Sequence, residues 1–126
     1  MQNETILYVD DEPINLELFK INFRNEYRVL TALSAKEGIE IIKKESIPVI
    51  ISDLKMPEMS GIEFIEYIKT SSPEKVCILL TAFIESDVML NAINKELIFR
   101  YLTKPWKKDE VKNIIELALE KHRLSR

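Results

Sequence analysis

Five short runs along the chain are apolar at nearly every position: residues 6–9, 28–33, 49–51, 76–80 and 98–102. Such runs suit strands buried on both faces, as in a parallel sheet. The segments between them follow the helical period. Val111, Ile114, Ile115, Ala118 and Leu119 form an i, i+3, i+4, i+7, i+8 stripe, and Ala35, Ile39, Ile42 and Gly61, Ile65, Ile68 repeat it. Ser34 with Glu37 and Ser60 with Glu63 have the spacing of capping boxes. Pro13 suits a first helical turn, while Pro48 and Pro73 interrupt helix ahead of the third and fourth strands. The pattern is strand then helix, five times over. Strands joined by helical crossovers are parallel, with right-handed connections and helices on both faces. An open three-layer α/β sheet follows.

Composition narrows the setting. The 126 residues suffice for one core, so residues 1–126 are expected to form a single domain. With 46% hydrophobic and 31% charged residues and a net charge of -3, neither disorder nor nucleic-acid binding is indicated. The longest nearly apolar stretch, residues 76–84, falls far short of the ~20 residues of a membrane span. Met1-Gln2-Asn3-Glu4 lacks the basic start of a secretory signal, and a lone Cys77 excludes an internal disulfide. A cytoplasmic location is expected.

Polar residues gather where strands end. The first strand runs into Asp10-Asp11-Glu12, the third into Ser52-Asp53, the fourth into Thr81 and the fifth into Thr103-Lys104-Pro105. Ligands of open parallel sheets bind outside the carboxyl ends of the strands. If strands one and three are neighbours, Asp10, Asp11 and Asp53 converge and repel by roughly 4 kcal/mol per pair at 4 Å and an effective dielectric near 20. Such a trio raises a pKa or recruits a cation. Oxygen-only donors favour a hard ion, and Mg2+ needs only one or two carboxylates. With a hydroxyl and a lysine beside it, the set suits phosphoryl transfer. Taken singly, each has a plainer explanation: Asp10, Asp11 and Glu12 could cap the first helix, and Thr81 and Lys104 could be ordinary loop residues. Their joint placement at one edge is not explained that way.

At this point the motifs Val9-Asp10-Asp11-Glu12, Ser52-Asp53-Leu54-Lys55-Met56-Pro57 with Met59-Ser60-Gly61, Leu80-Thr81-Ala82 and Tyr101-Leu102-Thr103-Lys104-Pro105 resemble the receiver domains of two-component response regulators. The resemblance spans essentially the whole chain. It implies a flavodoxin-like sheet of strand order 2-1-3-4-5, with Asp53 as acceptor of a phosphoryl group from a sensor histidine kinase or phosphotransfer protein. Asp11, Asp53 and the backbone carbonyl of Lys55 would ligate Mg2+, and Asp10 would act through a water. Thr81 and Lys104 would contact the phosphoryl oxygens. Tyr101 would turn inward with Thr81, remodelling the face of the fourth helix, fifth strand and fifth helix. That face could also support a homodimer. The resemblance implies no enzyme for external substrates, but a domain catalysing its own phosphotransfer and slow autodephosphorylation.

Four positions colour this reading. Asn94 stands near a turn where many receivers carry glycine, and could supply its left-handed cap. Lys55 and Phe83 occupy positions that tune phosphoryl hydrolysis in the family, and Phe83 could shield the site. Trp106 after Lys104-Pro105 resembles receivers attached to HD-type cyclic-dinucleotide phosphodiesterases, so the last residues could lead into such an output domain. Two rival chemistries fit poorly. A haloacid dehalogenase-type hydrolase needs an acid where Lys55 stands, and a flavin-binding domain would have its phosphate repelled by Asp10-Asp11-Glu12. A pseudo-receiver is disfavoured by the intact set of Asp10, Asp11, Asp53, Thr81 and Lys104.

Overall fold

The computed structural model describes residues 4–82 and 86–125; Phe83 and its expected shielding role lie outside them. Among the described residues five strands, β1 (Thr5–Val9), β2 (Arg28–Ala32), β3 (Val49–Ser52), β4 (Val76–Thr81) and β5 (Arg100–Thr103), alternate with five helices, α1 (Pro13–Phe23), α2 (Ala35–Lys44), α3 (Gly61–Ser71), α4 (Ser86–Asn94) and α5 (Lys108–Ser125). The sheet is parallel throughout, in the order β2-β1-β3-β4-β5. The expected flavodoxin-like architecture is therefore the observed one.

Two apolar layers flank the sheet. Leu16, Phe19 and Phe23 of α1 and Val111, Ile115, Ala118 and Leu119 of α5 pack on one face, with Tyr8, Ile51 and Ile78. Ala35 of α2, Phe64, Ile65 and Ile68 of α3 and Ala92 of α4 pack on the other, with Leu7, Ile50 and Leu79. Alternate residues of each central strand serve opposite layers, which is why β1, β3 and β4 read as unbroken apolar runs. The chain leaves β1 toward β2 and returns to place β3 on the other side of β1. The crevice between β1 and β3 is thus the switch point at which such sheets bind ligands.

Local chemistry sets the helix ends. Ser60 and Glu63 form a complete capping box: Ser60 Oγ accepts from the Glu63 N–H at 3.2 Å and Glu63 Oε1 from the Ser60 N–H at 3.0 Å. Ser34 Oγ accepts from the Glu37 N–H at 3.1 Å. The α1 start is different, because Glu12 at the cap position makes no side-chain cap bond and Pro13 opens the helix. Glu12 therefore caps α1 with its backbone carbonyl, not with its carboxylate.

Two expectations shift. The fifth strand begins at Arg100 rather than Ile98, because Ile98 is buried in the layer of α2, α3 and α4 before edge pairing starts. As an edge strand it buries only Leu102 of its four residues, so it is not the doubly buried strand its apolar run suggests. The left-handed residue after α4 is Glu96 (φ 57), not Asn94. Leu97 N–H reaches Ala92 O and Glu96 N–H reaches Ile93 O, both at 3.0 Å, the two bonds of a Schellman cap. Glycine there has no Cβ penalty, so Glu96→Gly should raise stability by about 0.5–1 kcal/mol, read as a higher urea midpoint.

Candidate functional site

The register of β1 against β3 pairs Val9 with Ser52, so the next residues on each strand, Asp10 and Asp53, emerge side by side. The Asp53 N–H donates to Val9 O at 2.9 Å and the Asp10 N–H to Ala32 O at 3.1 Å, extending both ladders by one residue. Asp10, Asp11 and Asp53 each present a carboxylate oxygen, and these oxygens lie within 4.8 Å of one another. Asp10 is fully buried, Asp53 half-buried and Asp11 exposed. The expected convergence is what the fold produces.

Lys104 reaches the acids from the far edge of the sheet. The Lys104 N–H donates to Thr81 O at 2.9 Å, tying β5 to the end of β4, and the Lys104–Pro105 peptide is cis. Lys104 Nζ lies 2.7 Å from Asp10 Oδ2 and 3.4 Å from Asp53 Oδ2. Thr81 is buried at the end of β4, whereas Tyr101 on β5 and Lys55 in the β3–α3 loop are exposed.

The loop after Asp53 is held close. The Gly61 N–H donates to Leu54 O at 2.8 Å, and Asp53 Oδ1 accepts from the Leu54 N–H at 2.8 Å. A Cβ on Gly61 would collide with the Asp53 carbonyl oxygen, so only glycine allows α3 to start against the backbone of Asp53. Glu58 supplies the left-handed turn at φ 69 that brings the chain round to Ser60.

Two side chains at the site had not been marked by their sequence. Tyr8 Oη donates to Asp10 Oδ2 at 2.6 Å, and Asn15 Nδ2 donates to the same oxygen at 3.1 Å and to Glu12 Oε2 at 2.8 Å. Tyr8 stands two residues before Asp10, on the same side of the strand, and that spacing was the available signal.

The two inner acids are tuned apart. Burial is the largest influence on Asp10 and would raise it. Bonds from Lys104, Tyr8 and the Glu12 N–H, with the Lys104 charge, hold it below the ordinary carboxylate range. Asp53 moves upward because burial, reinforced by the Asp10 charge, outweighs Lys104 and the Leu54 N–H. Burial would lower the Lys104 ammonium, but hydrogen bonds and charge from Asp10 and Asp53 raise it. Asp10 and Asp53 thus share the single ammonium of Lys104. Three carboxylate oxygens with no sulfur or imidazole fit a hard divalent ion such as Mg2+.

The sequence matches a known family over residues 6–116, that of the response regulator receiver domain. The chain belongs to that family. Receivers are the domains of two-component response regulators that are phosphorylated on an aspartate and bind Mg2+ at an acidic pocket. A receiver domain protein from Clostridium thermocellum superposes with a TM-score of 0.91 at 34% identity, covering 98% of this chain and 99% of that one. The response regulator TrrA of Thermotoga maritima, solved in complex with Mg(2+)-BeF, gives 0.81 at 29% identity, covering 91% of this chain and 98% of that one. The signal receiver domain of an HD domain-containing protein from Pseudomonas fluorescens gives 0.91 at 27% identity, covering 97% and 98%.

Among sequence relatives, sporulation initiation phosphotransferase F of Bacillus subtilis is 30% identical, covering 94% of this chain and 96% of that protein. The hydrogenase transcriptional regulatory protein HoxA of Cupriavidus necator is 31% identical over 92% of this receiver but only 24% of its own length. The chain spans about a quarter of the length of the first relatives it matches. No helix among the described residues is long and apolar enough to cross a membrane.

Two outcomes follow from the geometry of this receiver. A carboxyl whose folded-state pKa exceeds its unfolded one subtracts stability above the folded value. The deficit vanishes as the pH falls through that value and both states become protonated. Asp53→Asn should therefore raise the thermal midpoint of metal-free protein at pH 7, with the gain fading as the pH falls through the raised pKa of Asp53 and gone below the ordinary carboxylate range. Gly61→Ala should cost about 1–3 kcal/mol or more in urea unfolding, since its Cβ meets rigid backbone.

Proposed function

We propose that this chain is a phosphorylation-switched signalling receiver in which Asp53 accepts the phosphoryl group. The observation that supports this most is the meeting of Asp10, Asp11 and Asp53 within 4.8 Å, with Lys104 Nζ in reach of both inner acids. In the reaction an Asp53 carboxylate oxygen forms a bond to phosphorus. The bond from phosphorus to the donor breaks, and the donor leaves with the electron pair. With an acyl phosphate the products are an aspartyl-phosphate and the free carboxylate, and no proton is exchanged.

Asp11, Asp53 and the Lys55 carbonyl would hold Mg2+, with Asp10 acting through a water. The bound ion would neutralise charge on the phosphoryl oxygens and so permit one anion to approach another. The chain's own groups do the remainder. Gly61 and the Leu54 N–H hold Asp53 in place. Asp10, ionised and buried, orients Lys104. Lys104 sits 3.4 Å from Asp53 Oδ2, close enough to shift onto an oxygen of the transferred group. Thr81, buried at the end of β4, would bond another.

Regulation would follow from the same edge. Drawing Thr81 toward the phosphoryl group would shift β4 against β5, where Tyr101 pairs in register with Leu79 and is exposed on the outer side. An inward turn of Tyr101 would then alter the α4-β5-α5 face. Donors would be a sensor histidine kinase or phosphotransfer protein. The switched face would act on a fused output domain, of HD-type phosphodiesterase or another class, or support a homodimer in the cytoplasm. Similarity to the HD-linked receiver supports the output reading.

Incubation with acetyl phosphate and Mg2+, followed by intact-mass measurement, should show a single added phosphoryl group. It should be absent in Asp53→Asn and after chelation. An unmodified wild-type chain, or an adduct that survives Asp53→Asn, would refute the assignment.

A further inference from the structure

One oxygen of the Asp10 carboxylate carries more donors than it can hold in plane. Oδ2 accepts from Tyr8 Oη at 2.6 Å, Lys104 Nζ at 2.7 Å and Asn15 Nδ2 at 3.1 Å, while Oδ1 accepts from the Glu12 N–H at 3.0 Å. A carboxylate oxygen offers about two lone-pair sites, so three donors on Oδ2 compete. Lys104 is the charged donor, and it has Asp53 Oδ2 in reach at 3.4 Å. Asn15 is divided between Asp10 and Glu12. Tyr8 is fixed. Its ring is fully buried with its centroid 4.5 Å from that of Phe19, and its hydroxyl points at Asp10.

Packing alone does not call for that hydroxyl. The other β1 residues facing the two layers, Ile6, Leu7 and Val9, are aliphatic, and a phenylalanine would fill the space of Tyr8 against Phe19 equally well. The polar atom of Tyr8 has its partner in the acidic site.

We propose that Tyr8 is a positioning residue for phosphoryl transfer. Its hydroxyl keeps Asp10 Oδ2 satisfied while Lys104 moves from Asp10 to the phosphoryl oxygens on Asp53. The inference rests on Asp53 as acceptor. Asp10 is fully buried, so it cannot replace a departing ammonium with bulk water. With Tyr8 in place the carboxylate retains a short O–H donor on the oxygen that Lys104 leaves. Without it, Asp10 holds the ammonium more tightly, and Lys104 is slower to reach the transferred group.

Tyr8→Phe removes one oxygen atom and keeps the ring. Three quantities decide the matter: the rate of phosphorylation by acetyl phosphate with Mg2+, followed by intact mass; Mg2+ affinity, from calorimetry; and the thermal midpoint. The rate should fall about tenfold, the scale of one hydrogen bond to a charged group. Mg2+ affinity should stay within about threefold of wild type. Site-specific 3-fluorotyrosine at position 8, a stronger donor of nearly the same size, should restore the rate to wild type or above. A Tyr8→Phe chain phosphorylated at the wild-type rate overturns the proposal. So does a parallel collapse of metal affinity and thermal midpoint, which would make Tyr8 merely structural. If the wild type takes no phosphoryl group, the Asp53 assignment fails and this inference falls with it.

Discussion

A single ammonium group lets the acidic edge of this sheet exist. Two carboxylates at 4 Å repel by roughly 4 kcal/mol at an effective dielectric near 20, and here three present oxygens within 4.8 Å. Lys104 stands between the two inner ones, at 2.7 Å from Asp10 and 3.4 Å from Asp53. It comes from the edge strand, 94 residues along the chain from Asp10. For it to arrive, β3 must pair with β1, β4 with β3 and β5 with β4. Charge balance at the site is thus a property of the completed sheet.

The same balance separates the acids by role. Asp10 lies at the bottom, ionised and saturated with donors, and works as a fixed anchor for Lys104. Asp53 is half-buried and raised in pKa, so its charge is less stabilised than that of Asp10. Support comes from an aromatic stack behind Asp10. Tyr8 packs on Phe19 at 4.5 Å, Phe19 on Phe23 at 4.7 Å, and Trp106 meets Phe19 edge-on at 5.9 Å and Phe23 at a tilt at 5.7 Å. Trp106 follows Lys104 by two residues, so its contacts with α1 pin the β5–α5 loop that aims the lysine. This gives the tryptophan a packing role within the domain, independent of any output partner.

Much of this was legible in order along the chain. Period-two and period-3.6 patterns depend on local geometry, so the alternation of strands and helices and the capping box of Ser60 could be read directly. The polar residues at the strand ends stood out because apolar runs stop at them, and the receiver resemblance tied them to one site. Edge behaviour was less visible. An apolar run such as residues 98–102 looks the same whether it is covered on two sides or one, and the Schellman turn at Glu96 carries no glycine to betray it.

By itself, the sequence determined the number and kind of elements and which acids, hydroxyl and lysine lie at the carboxyl edge, because these follow from spacing between near neighbours. Tertiary structure alone decided what each acid is bonded to. Whether Lys104 rests on Asp10 or Asp53, why Gly61 must lack a side chain, and that Tyr8 turns its hydroxyl into the site depend on contacts of a few ångströms between distant segments. Hydrogen bonds and desolvation change steeply over such distances, and no periodicity along the chain encodes them.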